Sequence, residues 1–181
     1  MDLQTEQTID QIEITRSNKR QRTVSARLRG GVMQVSAPAQ ITEDKLQKII
    51  AGLKERLLKH KLKKELNKNK SLIEIAERLN SEYFAGKLKI NSIVYTTNQN
   101  SRYGCCNFRQ GRILLSHRLA GMPDWVRDFV IVHELAHLLV PNHSPAFHEL
   151  LARYKLAERA KGFLLAKGFE NDEDAGRDDV E

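Results

Sequence analysis

The chain has 181 residues, 40% of them hydrophobic, and carries a formal net charge of +7. That length suits one domain with a real core and an appended arm. No apolar run approaches the about 20 residues a membrane span needs, and the polar start Met1-Asp2-Leu3-Gln4-Thr5-Glu6 has no signal-peptide apolar region.

Residues 9–37 read as extended. Ile12 and Ile14 alternate with polar residues, and the runs Thr23–Ala26 and Val32–Val35 flank Gly30-Gly31, which predicts an N-terminal β-hairpin. A long basic helix is expected after Thr42, with an apolar stripe from Leu46 through Ile50, Leu53, Leu57 and Leu62 to Leu66. Asn67-Lys68-Asn69-Lys70 interrupts it, so residues 1–70 are expected as a hairpin-and-helix unit, either within the main domain or as a small lobe. Ser71 and Glu74 form a capping box for the next helix, which carries Leu72, Ile75, Ala76, Leu79 and Tyr83 and ends near Gly86. Ile90–Tyr95, Tyr103–Phe108 and Arg112–Leu115 read as strands, the last two joined across Arg109-Gln110-Gly111. Cys105 and Cys106 are adjacent, which excludes a loop-closing disulfide framework and fits a reducing cytoplasm. On a strand they face opposite ways.

The chain then turns apolar. From Pro123, which suits a first helical position, the segment to Val140 is almost continuously hydrophobic, and after Asp128 its only polar residues are His133, Glu134 and His137. Residues 133 and 137 stand one turn apart on one helical face, with Glu134 beside them. Such a buried polar cluster needs partners, and a bound cation supplies them. The helix should stop near Val140, ahead of Pro141. His143 then falls in a short turn, and Ser144-Pro145 reads as the cap and first position of another helix carrying Phe147, Leu150, Leu151 and Tyr154. The expected metal site is His133, His137 and His143, with Glu134 as catalytic base; His148, Glu149 and Glu158 are the other candidates for third ligand. Three protein ligands leave a fourth position for water or substrate, as catalysis requires. A metzincin is disfavoured, because Val140 stands where that motif has glycine and no Met follows His143 to make a Met-turn.

Charge is uneven. Residues 169–181 hold seven acidic side chains and one Arg, a net of −6; removing that from the whole chain's +7 leaves +13 on the other 168 residues. This tail is expected to be disordered. Basic residues concentrate in Arg16–Arg29 and Lys54–Lys70. The plain reading is solvated faces; the sharper one is attraction of nucleic acid or of substrate phosphates. Few aromatics are present and none interleave these runs, so no base-stacking platform is evident.

Several blocks together resemble the YgjP-like metal-dependent hydrolases, relatives of the SprT-like and other zincin groups. They are Ser101-Arg102-Tyr103-Gly104-Cys105-Cys106, Gly111–Leu115, the helix into His133-Glu134-Leu135-Ala136-His137, and Pro141-Asn142-His143-Ser144 with Phe147. Arg16-Ser17, Arg20, Thr23 and Val35-Ser36-Ala37-Pro38 extend the similarity over residues 12–155. Tyr103 and Cys105 depart from the family's Arg-Trp-Gly-Ser-Cys, Ser116 stands where Asn is expected, and His148 where Trp is frequent. The resemblance implies a zinc-type site with His133, His137 and His143 as ligands and Glu134 as base, the same residues that spacing selects.

The expected fold is therefore α+β and zincin-like, the His-Glu-x-x-His helix packing on a small mixed or antiparallel sheet over residues 71–168. One zinc ion per chain is expected, other divalent metals fitting the same donors. Arg102 or Tyr103 is a candidate donor to the oxygen attacked. Three functions follow: a metallopeptidase acting on peptides, favoured; the same site acting on a small phosphorylated substrate such as a nucleoside triphosphate; and a metal-stabilised nucleic-acid-binding module. The third is weakest, since a structural zinc usually has four protein ligands and only three fit here.

Overall fold

The computed structural model describes residues 9, 11–68, 71–99 and 101–168; the acidic segment 169–181 lies outside them. The chain forms two compact units, one from residues 2–65 and the other from Leu66 onward. Among the described residues, five α-helices and two small mixed sheets make it α+β.

In the first unit, β2 (Ser25–Arg29) and β3 (Val32–Pro38) pair antiparallel with Leu28 opposite Met33. Gly30 and Gly31 connect them at φ 55° and 84°, a two-residue turn that side chains resist. β1 (Gln11–Ser17) joins in parallel on the other side of β3, Ile14 opposite Val35. Alternate residues of β3 (Met33, Val35 and Ala37) are buried and meet Leu46 and Ile50 of α1 (Glu43–Leu66). The expected stripe of α1 is only partly covered beyond Ile50, and the reason is length. Twenty-four helical residues span about 36 Å, whereas a seven-residue strand spans about 23 Å. Ile12 and Ile14 remain exposed.

The second unit opens with α2 (Ser71–Phe84), which stops where Ala85 and Gly86 turn left-handed. Its sheet has the order β4 (Ser92–Thr96), β6 (Arg112–Ser116), β5 (Gly104–Asn107), with β4 parallel and β5 antiparallel to β6. Two asparagines do the work of missing backbone partners. Buried Asn80 donates to the Leu88 carbonyl and accepts from the Leu88 N–H, and Asn67 does the same with Tyr95 of β4 at 3.0 and 2.8 Å. The β5–β6 turn needs glycine at 111, where φ is 60° and a Cβ would fall 2.8 Å from the Lys89 carbonyl.

Against this sheet packs α3 (Asp124–Ala136), followed by α4 (Pro145–Leu151) and α5 (Ala157–Ala166). Ile113 and Leu115 of β6 share one core with Leu79 of α2 and Val126, Ile131, Val132 and Leu135 of α3. Ser144 and Pro145 hold the cap and first position of α4 as expected, the Ser144 hydroxyl making no cap bond. Two other expectations shift. Pro123 is the cap of α3 rather than its first residue. The α-helix also ends at Ala136, four residues before Val140. Leu138 and Leu139 donate to carbonyls three residues back, so the last turn winds tighter. α5 and a 3₁₀ turn at His117–Gly121 went unanticipated. Among the described residues no helix is long and apolar enough to cross a membrane.

Candidate metal centre

α3 is buried on most of its circumference because eight of its thirteen residues are apolar, and after Asp128 its polar residues, His133 and Glu134, fall together near its C-terminal end. His133 and His137 are one turn apart, and the loop after Pro141 brings His143 back to them. One ligand atom from each of the three lies within 4.8 Å of the other two, and among the described residues this is the group able to hold a metal. The Nε2 atoms of His137 and His143 stand 3.2 and 3.3 Å from Nε2 of His133. His137 Nδ1 lies 3.2 Å from the Val140 carbonyl. A carbonyl only accepts, so Nδ1 carries the proton and Nε2 keeps its lone pair. The tightened last turn therefore matters: it delivers the carbonyl that fixes the tautomer.

Burial and neighbouring rings keep the imidazoles of His133 and His137 neutral. Burial, then the neighbouring His137 and His143, hold His133 well below the usual histidine range. Burial and then His143 lower His137 to about 4. Neutral imidazole is the form that binds metal. Beneath the cluster sits Phe147, fully buried, its ring stacked 4.5 Å from His137 and edge-on to His133 at 4.9 Å and His143 at 4.8 Å. One side chain thus packs against all three rings.

Glu134 is 3% exposed and turns toward β5. There its carboxylate lies over Gly104, where a Cβ would stand 2.6 Å from Glu134 Cδ. Cys106, two residues along on the same strand face, feels the same carboxylate. Its thiol is pushed up to about 12 by burial first and by Glu134 second. Arg118 anchors the segment leading into β5, donating to the carbonyls of Arg102 and Gln99 and lying 4.9 Å over the Tyr103 ring.

Residues 68–157 match the model of the YgjP-like family, described as a YgjP-like metallopeptidase domain. These residues form a YgjP-like domain. The match runs from just after α1 to the first residue of α5 and includes all three histidines, Glu134 and Phe147. A YgjP-like domain is a metal-dependent hydrolase of metallopeptidase type, which implies a divalent metal. Among solved structures the chain is similar to the metallopeptidase zymogen abylysin of Pyrococcus abyssi. The two are 17% identical, covering 55% of this chain and 97% of that one, with a TM-score of 0.47. No curated protein matches.

Of the other third-ligand candidates in this chain, His148 and Glu149 are exposed, and Glu158 pairs with Lys161 at 2.9 Å. None of them falls in the three-histidine group. Tyr103 is buried in the core, and Arg102 is partly buried. Gly104 and Phe147 are the two neighbours of the site whose contacts the sequence did not reveal. Both lay inside motif blocks, and a glycine interrupting a strand was the available signal.

Proposed function

We propose that this YgjP-like domain is a zincin-like zinc peptidase in which His133, His137 and His143 hold one zinc ion and Glu134 is the general base. The observation that carries the reading is the convergence of three imidazole Nε2 atoms. Two nitrogens on a tetrahedral zinc at about 2.0–2.1 Å stand about 3.3–3.4 Å apart, close to the 3.2 and 3.3 Å found here. Without a cation or shared protons, three lone pairs at that spacing repel. When bound, zinc lowers the pKa of water toward about 7 and polarises a carbonyl.

The chain's own residues supply the rest. Glu134 accepts the proton of the attacking water and passes it to the leaving amine nitrogen. Substrate backbone has a place to pair. Ser116 N–H donates to the Tyr103 carbonyl at 2.7 Å, so by antiparallel alternation the main-chain groups of Gly104 and Cys106 face away from β6, toward the open edge. An extended peptide added there runs beside Glu134. The opposite edge is blocked at Tyr95 by Asn67.

The test is mass-spectrometric cleavage profiling of zinc-loaded protein on a mixed peptide library, with Glu134→Gln alongside. Peptides cut by the wild type and spared by the variant are the expected result. A zinc-replete protein that cuts none, yet hydrolyses a nucleoside triphosphate, would replace the peptidase with a phosphoanhydride hydrolase.

A further inference from the structure

We propose that Gly104 positions the Glu134 carboxylate, the side chain missing from β5 being the space that the carboxylate fills. This rests on reading Glu134 as the base.

Glycine at 104 is not explained by its backbone. The left-handed glycines among the described residues are Gly30, Gly31, Gly86, Gly111 and Gly168, and Gly104 is not one of them. Nor does a strand favour glycine, which adds chain entropy and packs nothing. Space explains it. A Cβ built on Gly104 would overlap Oε1 of Glu134 and lie 2.6 Å from Cδ and 2.7 Å from Cγ, all well inside van der Waals contact. The whole carboxylate end of Glu134 therefore occupies the volume an alanine methyl would take.

Glu134 has little room to yield. It is 3% exposed, and Cys106, the next β5 residue on that face, is close enough for the carboxylate to raise its thiol pKa. What would give way first is the side chain torsion of Glu134 rather than the strand, because the atoms met are the flexible end of a side chain. The cost of a methyl at 104 then falls on where the base points. The histidines lie on other atoms of α3 and on the following loop, so metal binding is spared.

The experiment combines kinetics with a double-mutant cycle. Gly104→Ala should retain one zinc per chain by elemental analysis and lose about 100-fold in kcat on a peptide cut by the wild type, with KM little changed, as a displaced catalytic group predicts. Adding Glu134→Asp, which withdraws the carboxylate by one methylene, should recover part of that loss, although Glu134→Asp alone slows the wild type. In thermal unfolding, Gly104→Ala should lower Tm when Glu134 is present and not when Glu134 is replaced by Ala. An equal Tm shift in both backgrounds, or an unchanged kcat in Gly104→Ala, overturns the proposal. If the wild type cleaves no peptide, the hydrolase reading fails by itself, and the Tm cycle still decides whether Gly104 houses the carboxylate.

Discussion

The two sheets share one connection pattern and differ in everything that makes a site. In each, the first strand in sequence runs parallel to the third and the second pairs antiparallel with it, giving the orders β1-β3-β2 and β4-β6-β5. In the first unit a single helix covers the sheet, burying Leu46 and Ile50, and β1 is exposed almost throughout. In the second, the middle strand β6 enters a core shared with α2 and α3, and the hairpin strand β5 has no side chain where it meets a buried carboxylate. Topology alone thus carries no chemistry. The difference comes from what packs on the hairpin strand: a helix ending in polar residues in one sheet, and no such helix in the other.

The comparison breaks most sharply at the histidines. His143→Ala is expected to lose zinc by more than the about 10–100-fold that follows loss of an outer-shell partner, while His148→Ala, an exposed position, keeps it; zinc titration of both decides. Full retention by the His143 variant would move the third ligand elsewhere. Phe147→Ala removes the ring packed against all three imidazoles and should cost about 3–5 kcal/mol in denaturant unfolding, with weaker zinc binding. Met33→Ala empties a fully buried position in the first sheet and should cost about 2–5 kcal/mol without altering zinc stoichiometry. Zinc lost in parallel would show that the two sheets are not separable. Smallest of all, Glu43→Gln breaks an exposed pair with Arg16 and should change unfolding by less than about 1 kcal/mol.

The sequence displayed the half of the site that is local. His133 and His137 are linked by a four-residue spacing, and Pro141 forces the turn that returns His143, so the three-histidine cluster was visible without any tertiary knowledge. The part made by β5 was not, because Gly104 meets Glu134 across thirty positions of chain and no periodicity encodes that contact. The same limit hid the parallel pairing of β1, whose alternating pattern shows that it is a strand and not which neighbour it takes. The early end of α3 was hidden by apolar residues, Leu138 to Val140, that continue the hydrophobic pattern after the hydrogen bonding has changed. α5 was obscured differently: it buries only Ala157, Ala160 and Leu164 while exposing Leu165, so small residues carry much of its packing face.

The cluster sits at the carboxyl end of α3, a helix of thirteen residues. Aligned peptide dipoles leave the equivalent of about half a negative charge at such an end. A cation held by His133 and His137, as proposed, would therefore also serve as an electrostatic cap for the helix that presents them. Chelation should then loosen residues 133–140 in amide hydrogen exchange while Ile113 and Leu115, deep in the sheet, stay protected. Metal and helix end would be one cooperative unit, and loss of the ion would be felt first as fraying of the element that binds it.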